Sequence, residues 1–182
     1  KTMIMASLGR GGGGRLLIGG RLPTGGHGAG GQIGHLCVNY GETEKCGCGN
    51  YGCLEQYASA TGITRLAKKR LESTEQDSTL RKGPVNAKTV FDAVKAGDRL
   101  ADEIAVEFGR YLGYALANLA AAIDPSVIVI GGGVSKAGKV LIPYVETPYK
   151  ERAFFANQDV TFALAELGND AGICGAAKMV LD

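Results

Sequence analysis

The run Ser-Val-Ile-Val-Ile-Gly-Gly-Gly-Val-Ser at 126–135 does most to limit what the chain can fold into. Four β-branched apolar residues in a row lack the alternation of a half-solvated strand. They imply a strand covered on both faces, at the centre of a layered α/β structure. The strand runs straight into three glycines, and a helix start is expected near Ser135. Upstream the period changes. Leu54, Tyr57, Ala58, Ile63, Leu66, Ala67 and Leu71 recur at spacings of three and four, with Lys68, Lys69 and Arg70 turned outward. Residues 72–86 are polar and read as a loop, and Asn86 caps a short helix over 87–96. A long helix is expected from Leu100 to about Ile123. Its stripe of Ile104, Phe108, Leu112, Ala115, Leu116 and Leu119 offers a face for a partner or a further lobe, and Asp124-Pro125 ends it. Residues 138–152 read as helix, 160–165 as strand, and Asp170 caps a last helix over 171–181.

Glycine is the next constraint. Of 29 glycines, 13 fall between Gly9 and Gly34. Glycine inside a regular element loses backbone entropy and packs nothing, so this stretch reads as loops with positive φ or close approach to a ligand. Met3–Leu8 and Arg15–Ile18 read as strands around it, with a turn at Gly19-Gly20, and Ile33–Val38 is another short apolar run.

The composition, 45% apolar and 21% charged over 182 residues, is that of an ordinary globular chain with room for one core. No stretch approaches the roughly 18–20 apolar residues of a membrane span. No signal peptide is visible, so the expected location is cytoplasmic. The net charge of +2 gives no general pull towards nucleic acid. The charge is uneven, however: Lys1, Arg10, Arg15 and Arg21 precede the first acid, Glu42, so the opening segment suits an anion. An arginine-glycine RNA-binding reading of residues 9–15 lacks an aromatic residue before Tyr40 on which a base would stack.

Three of the five cysteines lie in Cys-Gly-Cys-Gly-Asn-Tyr-Gly-Cys-Leu-Glu, residues 46–55. With His35 upstream, Cys46, Cys48 and Cys53 make up a tetrahedral zinc set, closed and therefore structural in type. A disulfide or uncoordinated thiols are the alternatives. The odd count and the absence of a secretion signal weigh against the disulfide. Cys37 and Cys174 have apolar neighbours and read as packing cysteines. Glu55, two residues after the last thiol, either accepts bonds from ligand hydroxyls or complements a helix N-terminus.

The segments at 31–35 (Gly-Gln-Ile-Gly-His), 46–55 and 124–135 together resemble the ROK family of bacterial sugar kinases and repressors, most closely its glucokinases. The similarity runs on through 163–180. The family fold is the actin-like, ribonuclease H-like ATPase fold, with ATP and sugar between two α/β lobes. The resemblance implies that this α/β chain, 1–182, is the C-terminal lobe with a zinc loop at about 35–55. Its last helix, 171–181, would pack on the N-terminal lobe. Zinc ligands would be His35, Cys46, Cys48 and Cys53, and sugar hydroxyls would be held by Gln32, His35 and Glu55. Gln32 departs from the family's glutamate: it keeps an acceptor, loses charge and adds a donor.

The family's second phosphate loop corresponds to 8–15. Gly9, Arg10 and Gly11 would face ATP phosphates, with Arg10 in place of a threonine and Arg15 in place of a glycine. Gly131, Gly132 and Gly133 resemble the adenosine-side loop, the alternative being a purely structural turn after a buried strand. The catalytic aspartate and the first phosphate loop belong to the family's N-terminal lobe, and no segment here matches them. The implied function is ATP- and Mg²⁺-dependent phosphorylation of a hexose, with glucose 6-phosphate as product, by a dimeric protein. The chain by itself is expected to be inactive. The alternative is a sugar-sensing repressor with a helix-turn-helix upstream.

Overall fold

The computed structural model describes residues 2–9 and 11–168. Among these residues the sheet has four strands: β1 (Met3–Leu8), β2 (Gly12–Leu17), β3 (Val127–Gly131) and β4 (Thr161–Leu164). Their order is β2-β1-β3-β4. β2 is antiparallel to β1, whereas β3 runs parallel to both β1 and β4. The α/β expectation is met with a mixed sheet. Between the two sheet halves lie α1 (Glu55–Ala58), α2 (Ala60–Ser73), α3 (Ala87–Lys95) and α4 (Arg99–Ile123), and α5 (Leu141–Arg152) follows β3.

β3 is covered less evenly than its sequence implies. Ile128 and Ile130 are fully buried with Ile4 and Ala6 of β1, but Val127 and Val129 on the other face are half-buried among the described residues. The helix over 54–71 is in fact two. Ser59 leaves the helical conformation at φ −120° and ψ 173°, and its hydroxyl accepts from the Gly62 N–H to start α2. Asn86 caps α3 in a capping box with Thr89. Asp98 caps α4, and Asp124 ends it in the left-handed region at φ 48°. The α4 stripe is not left open for a partner. Ile104, Phe108, Leu112 and Leu116 are at most 1% exposed within this chain, inside its own core.

α4 and α5 cross at unusually short range. A Cβ on Gly109 would lie 2.0 Å from the Tyr144 carbonyl oxygen, and one on Gly113 would lie 2.7 Å from that of Val145. Only glycine admits this backbone-to-backbone contact.

The largest correction concerns the glycine-rich opening. Gly12, Gly13 and Gly14 are the first half of β2, a regular strand paired with Leu8, Ser7 and Ala6. Two of them, Gly12 and Gly14, are pressed by other segments, whereas a Cβ on Gly13 would meet nothing nearer than 3.8 Å. A Cβ on Gly14 would meet the Ile33 side chain at 2.3 Å, and one on Gly12 would meet the Glu55 Cα at 3.2 Å. Ile18 and Arg21 exchange backbone bonds around Gly19 and Gly20, both at positive φ, so that turn stands as expected. The expected helix 171–181, its Asp170 cap, Cys174 and Arg10 lie outside the described residues.

Candidate functional site

β1 and β3 are parallel neighbours, so both end at one edge of the sheet, with Ser7 opposite Gly131. Ligands of open α/β sheets bind at the carboxyl ends of such strands. Two glycine segments leave this edge: Gly9 and Gly11 follow β1, and the Gly131–Gly133 turn follows β3. The second divides by role. Gly131 is buried, and a Cβ there would meet the Met5 methyl at 2.5 Å. Gly132, at φ 83°, lies against the Leu8 backbone, where a Cβ would come within 2.7 Å. Gly133 has open space around it. It lines a cleft of about 440 Å³ together with Val134, Ala60 and Thr64 of α2, and Phe91 and Lys95 of α3. Of the three glycines singled out by sequence, Gly131 and Gly132 serve packing and Gly133 faces a cavity.

The first segment meets the other half of the site directly. Gly9 O accepts from the Ala60 N–H at the start of α2. Gly11 is exposed beside Glu55, whose Oε2 would be 2.7 Å from a Cβ there. The same Oε2 accepts from the Gly12 N–H at 3.1 Å. Glu55 therefore fixes the junction of segment and strand, while its carboxylate stays half-buried at the mouth. Gln32 and His35 bracket a single helical turn, Ile33–His35, and both are exposed. That turn lies so close over β2 that a Cβ on Gly34 would fall 1.7 Å from Gly12 O.

His35, Cys46, Cys48 and Cys53 converge, their ligand atoms all within 4.8 Å of one another. Zinc bonds of about 2.3 Å to sulfur and 2.0–2.1 Å to nitrogen define a tetrahedron with edges of about 3.6–3.8 Å. The Cys48 and Cys53 sulfurs are 3.6 Å apart, and His35 Nδ1 is 4.0 Å from Cys46 Sγ. The donor set thus fits a four-coordinate soft cation. The thiols are not alike: burial and the neighbouring Cys48 and Cys46 push Cys53 up to about 12, whereas the Asn50 backbone N–H lowers Cys48. Cys46 Sγ is also 3.8 Å from Glu55 Oε1, which links the metal set to the mouth of the site. Cys37, expected to pack internally, is exposed.

A second set of contacts was not anticipated from sequence. Glu42 accepts from the Tyr57 hydroxyl at 2.5 Å and from Arg65 at 2.6 Å, and Arg65 also reaches Glu44 at 2.7 Å. The Glu42 side chain is only 7% exposed. Gln56 joins the same seam: its Oε1 accepts from the Cys53 N–H, and its Nε2 donates to Glu44 O. Together they fasten the 42–53 loop to α1 and α2. No spacing rule pairs residues 23 apart, and Arg65 sits in a helix whose neighbouring basic residues face solvent. The one local hint was that Gln56 directly follows Glu55.

Burial alone would raise the Glu42 carboxyl. The Tyr57 hydroxyl, the Glu44 N–H and Arg65 outweigh it and hold Glu42 at about 2, against an ordinary 4.5. A depressed acid contributes stability above its unfolded value and loses it as the pH falls through its folded value. The contribution is therefore complete above pH 4.5 and fades towards pH 2. Urea unfolding of wild type and Glu42→Gln from pH 6 to pH 2 is expected to show a stability gap that closes across this window. A gap constant in pH contradicts the assignment.

The comparisons with known proteins bear on this arrangement. The family model described as ROK matches residues 1–182. The chain is 41% identical over 185 residues to a glucokinase of Halalkalibacterium halodurans, covering 99% of this chain and 56% of that protein. It is 34% identical over 148 residues to the DNA-binding transcriptional repressor Mlc of Escherichia coli, covering 80% and 36%. Its fold matches a ROK family glucokinase from Streptomyces griseus in complex with glucose and AMPPNP. The TM-score is 0.87 at 33% identity, covering 98% of this chain and 60% of that one. The chain thus spans a little over half the length of the glucokinases it matches, and its sheet and helices are those of the actin-like ATPase fold.

Proposed function

The chain belongs to the ROK family, and on that premise we propose that it is the C-terminal lobe of an ATP-dependent hexose kinase acting on glucose. The observation that carries this reading is the contact between Glu55 and the Gly9–Gly11 segment. A carboxylate suited to sugar hydroxyls lies within 3.1 Å of the backbone N–H that follows a glycine segment suited to phosphate. Phosphoryl transfer is mostly positioning, and here the acceptor's anchor and the donor's cradle share one hydrogen bond. The cleft at Gly133 would take the nucleoside, with its largely apolar walls receiving the base and Lys95 near the rim.

His35 would serve two ends of one ring. Nδ1 faces Cys46, which leaves Nε2 for a sugar hydroxyl. Cys46, Cys48, Cys53 and His35 would hold zinc in a closed site, where the ion supplies rigidity and no open coordination position. Gln32 can accept or donate to a hydroxyl from the start of the same turn. The catalytic base and the remaining phosphate contacts would come from a further lobe.

Full-length protein is expected to phosphorylate glucose in an ATP-coupled assay. In calorimetry, Glu55→Gln should weaken glucose binding by about tenfold or more, the scale of one lost charge-assisted hydrogen bond. Unchanged affinity removes Glu55 from the sugar site. The second reading, a sugar-responsive repressor, draws on the likeness to Mlc and on Arg10 and Gln32, which depart from the kinase pattern at the phosphate and sugar positions. Glucose binding without turnover in the full-length protein would favour it.

A further inference from the structure

Cys37 has no part in the site described above, yet it lies directly across from one of the metal ligands. Cys37 and Cys53 form an antiparallel bridge. The hydrogen bonds run on either side of them, from the Val38 N–H to Gly52 O and from the Leu54 N–H to Leu36 O, both at 2.8 Å. The two cysteines are therefore a non-hydrogen-bonded pair, whose Cα atoms approach to about 4.5 Å. That lies within the roughly 4.4–6.8 Å span of a disulfide. Their exposure differs: Cys37 is open to solvent, while Cys53 is 1% exposed. Cys37 also stands outside the converging donor set, so its sulfur stays uncommitted when that set is filled.

We propose that Cys37 is an oxidation site whose partner is Cys53, so that hydrogen peroxide dismantles the metal set through a Cys37–Cys53 disulfide. The proposal rests on the metal reading given above. In the first step the Cys37 thiolate attacks the peroxide. A sulfur–oxygen bond forms, the oxygen–oxygen bond breaks, and hydroxide leaves and is protonated to water. Cys53 then attacks the sulfenic sulfur, forming the sulfur–sulfur bond and releasing the second oxygen as water. Two thiols lose two electrons and two protons, and the peroxide is reduced to two waters. Cys53 ceases to be a thiolate, and the four-donor set falls to His35, Cys46 and Cys48. Such bonds in reducing compartments are transient and sensing in character. Because Glu55 follows Cys53 by two residues and touches Cys46, the sugar site is expected to loosen with the metal set.

The test uses full-length protein of measured zinc content, treated with hydrogen peroxide in the presence of a chromogenic chelator and then digested with trypsin. Cleavage at Arg21, Lys45 and Arg65 puts Cys37 on the 22–45 peptide and Cys46, Cys48 and Cys53 on the 46–65 peptide. The expected product is a reducible cross-link between these two peptides joining Cys37 to Cys53, formed in step with zinc release. Zinc release from Cys37→Ser should be about fivefold slower or more, since the exposed entry thiol is gone. Equal release rates, or a bond between Cys48 and Cys53 in its place, overturn the proposal. Protein purified without metal defeats the metal reading separately, and the cross-link still decides the Cys37–Cys53 pairing.

Discussion

Stripping the cation from His35, Cys46, Cys48 and Cys53 with a strong chelator is expected to lower the melting temperature by about 10 °C or more. Between Asn39 and Tyr51 Cys46 is the only buried apolar residue, so apolar burial supplies almost nothing to hold this stretch. Its backbone bonds are few and local: the flanking bridges Cys37–Cys53 and Lys45–Tyr51, and turn bonds such as Gly49 N–H to Cys46 O and Glu42 N–H to Asn39 O. What remains is the donor set on one side and the Glu42–Arg65 seam on the other. Structural zinc in small sites contributes about 10–16 kcal/mol of apparent binding energy, and the folded loop takes up part of it. Scanning fluorimetry alongside elemental analysis gives the result. An unchanged melting temperature after confirmed metal loss would show that the four side chains converge for another reason.

The second large effect is expected from Gly34→Ala. The added methyl would sit 1.7 Å from Gly12 O and 2.7 Å from the Gly12 carbonyl carbon, against backbone that cannot swing aside. Relief requires lifting the Ile33–His35 turn off β2, which would carry His35 away from the thiols. A loss of more than about 3 kcal/mol, or insoluble protein, is expected. Gly47→Ala is the internal control: it lies in the metal loop with open space at its Cβ and should stay within about 0.5 kcal/mol. Urea unfolding of the two variants separates a close-packing requirement from general intolerance of alanine in this region. If Gly34→Ala unfolds like wild type, the turn does not sit where these distances put it.

The elements that were legible in the sequence are those whose signal is local. α4 shows its stripe from Ile104 to Leu119 and its stop at Asp124-Pro125, and the periodicity alone marks it, though the Asp98 cap went unread. The 46–55 cluster was legible because three thiols in eight residues have few uses, and His35 came with the family pattern. β2 was not. Its glycines signalled loop because glycine reports only that space is short, and the segments that take the space, Gly34 and Glu55, are 22 and 43 residues away in the chain. The break at Ser59 was masked for a related reason, since the apolar spacing continues through it while the hydroxyl restarts the helix. The Glu42, Tyr57 and Arg65 contacts depend on how a loop folds back over α2, which no periodicity encodes.

The glycine crossing of α4 and α5 bears on how the molecule can move. Two helices held apart by flexible side chains can slide, because rotamers absorb small shifts. Here the Tyr144 and Val145 carbonyls rest on bare backbone at Gly109 and Gly113, and the side-chain atoms nearest these points, Tyr144 Cβ and Pro148 Cγ, have no rotamer freedom with which to yield. Sliding would drive oxygen into main chain, so the pair is locked in register and turns as one plate with the sheet beneath it. In any hinged closing over a ligand, bending then falls outside this helix pair, and α4 and α5 travel together.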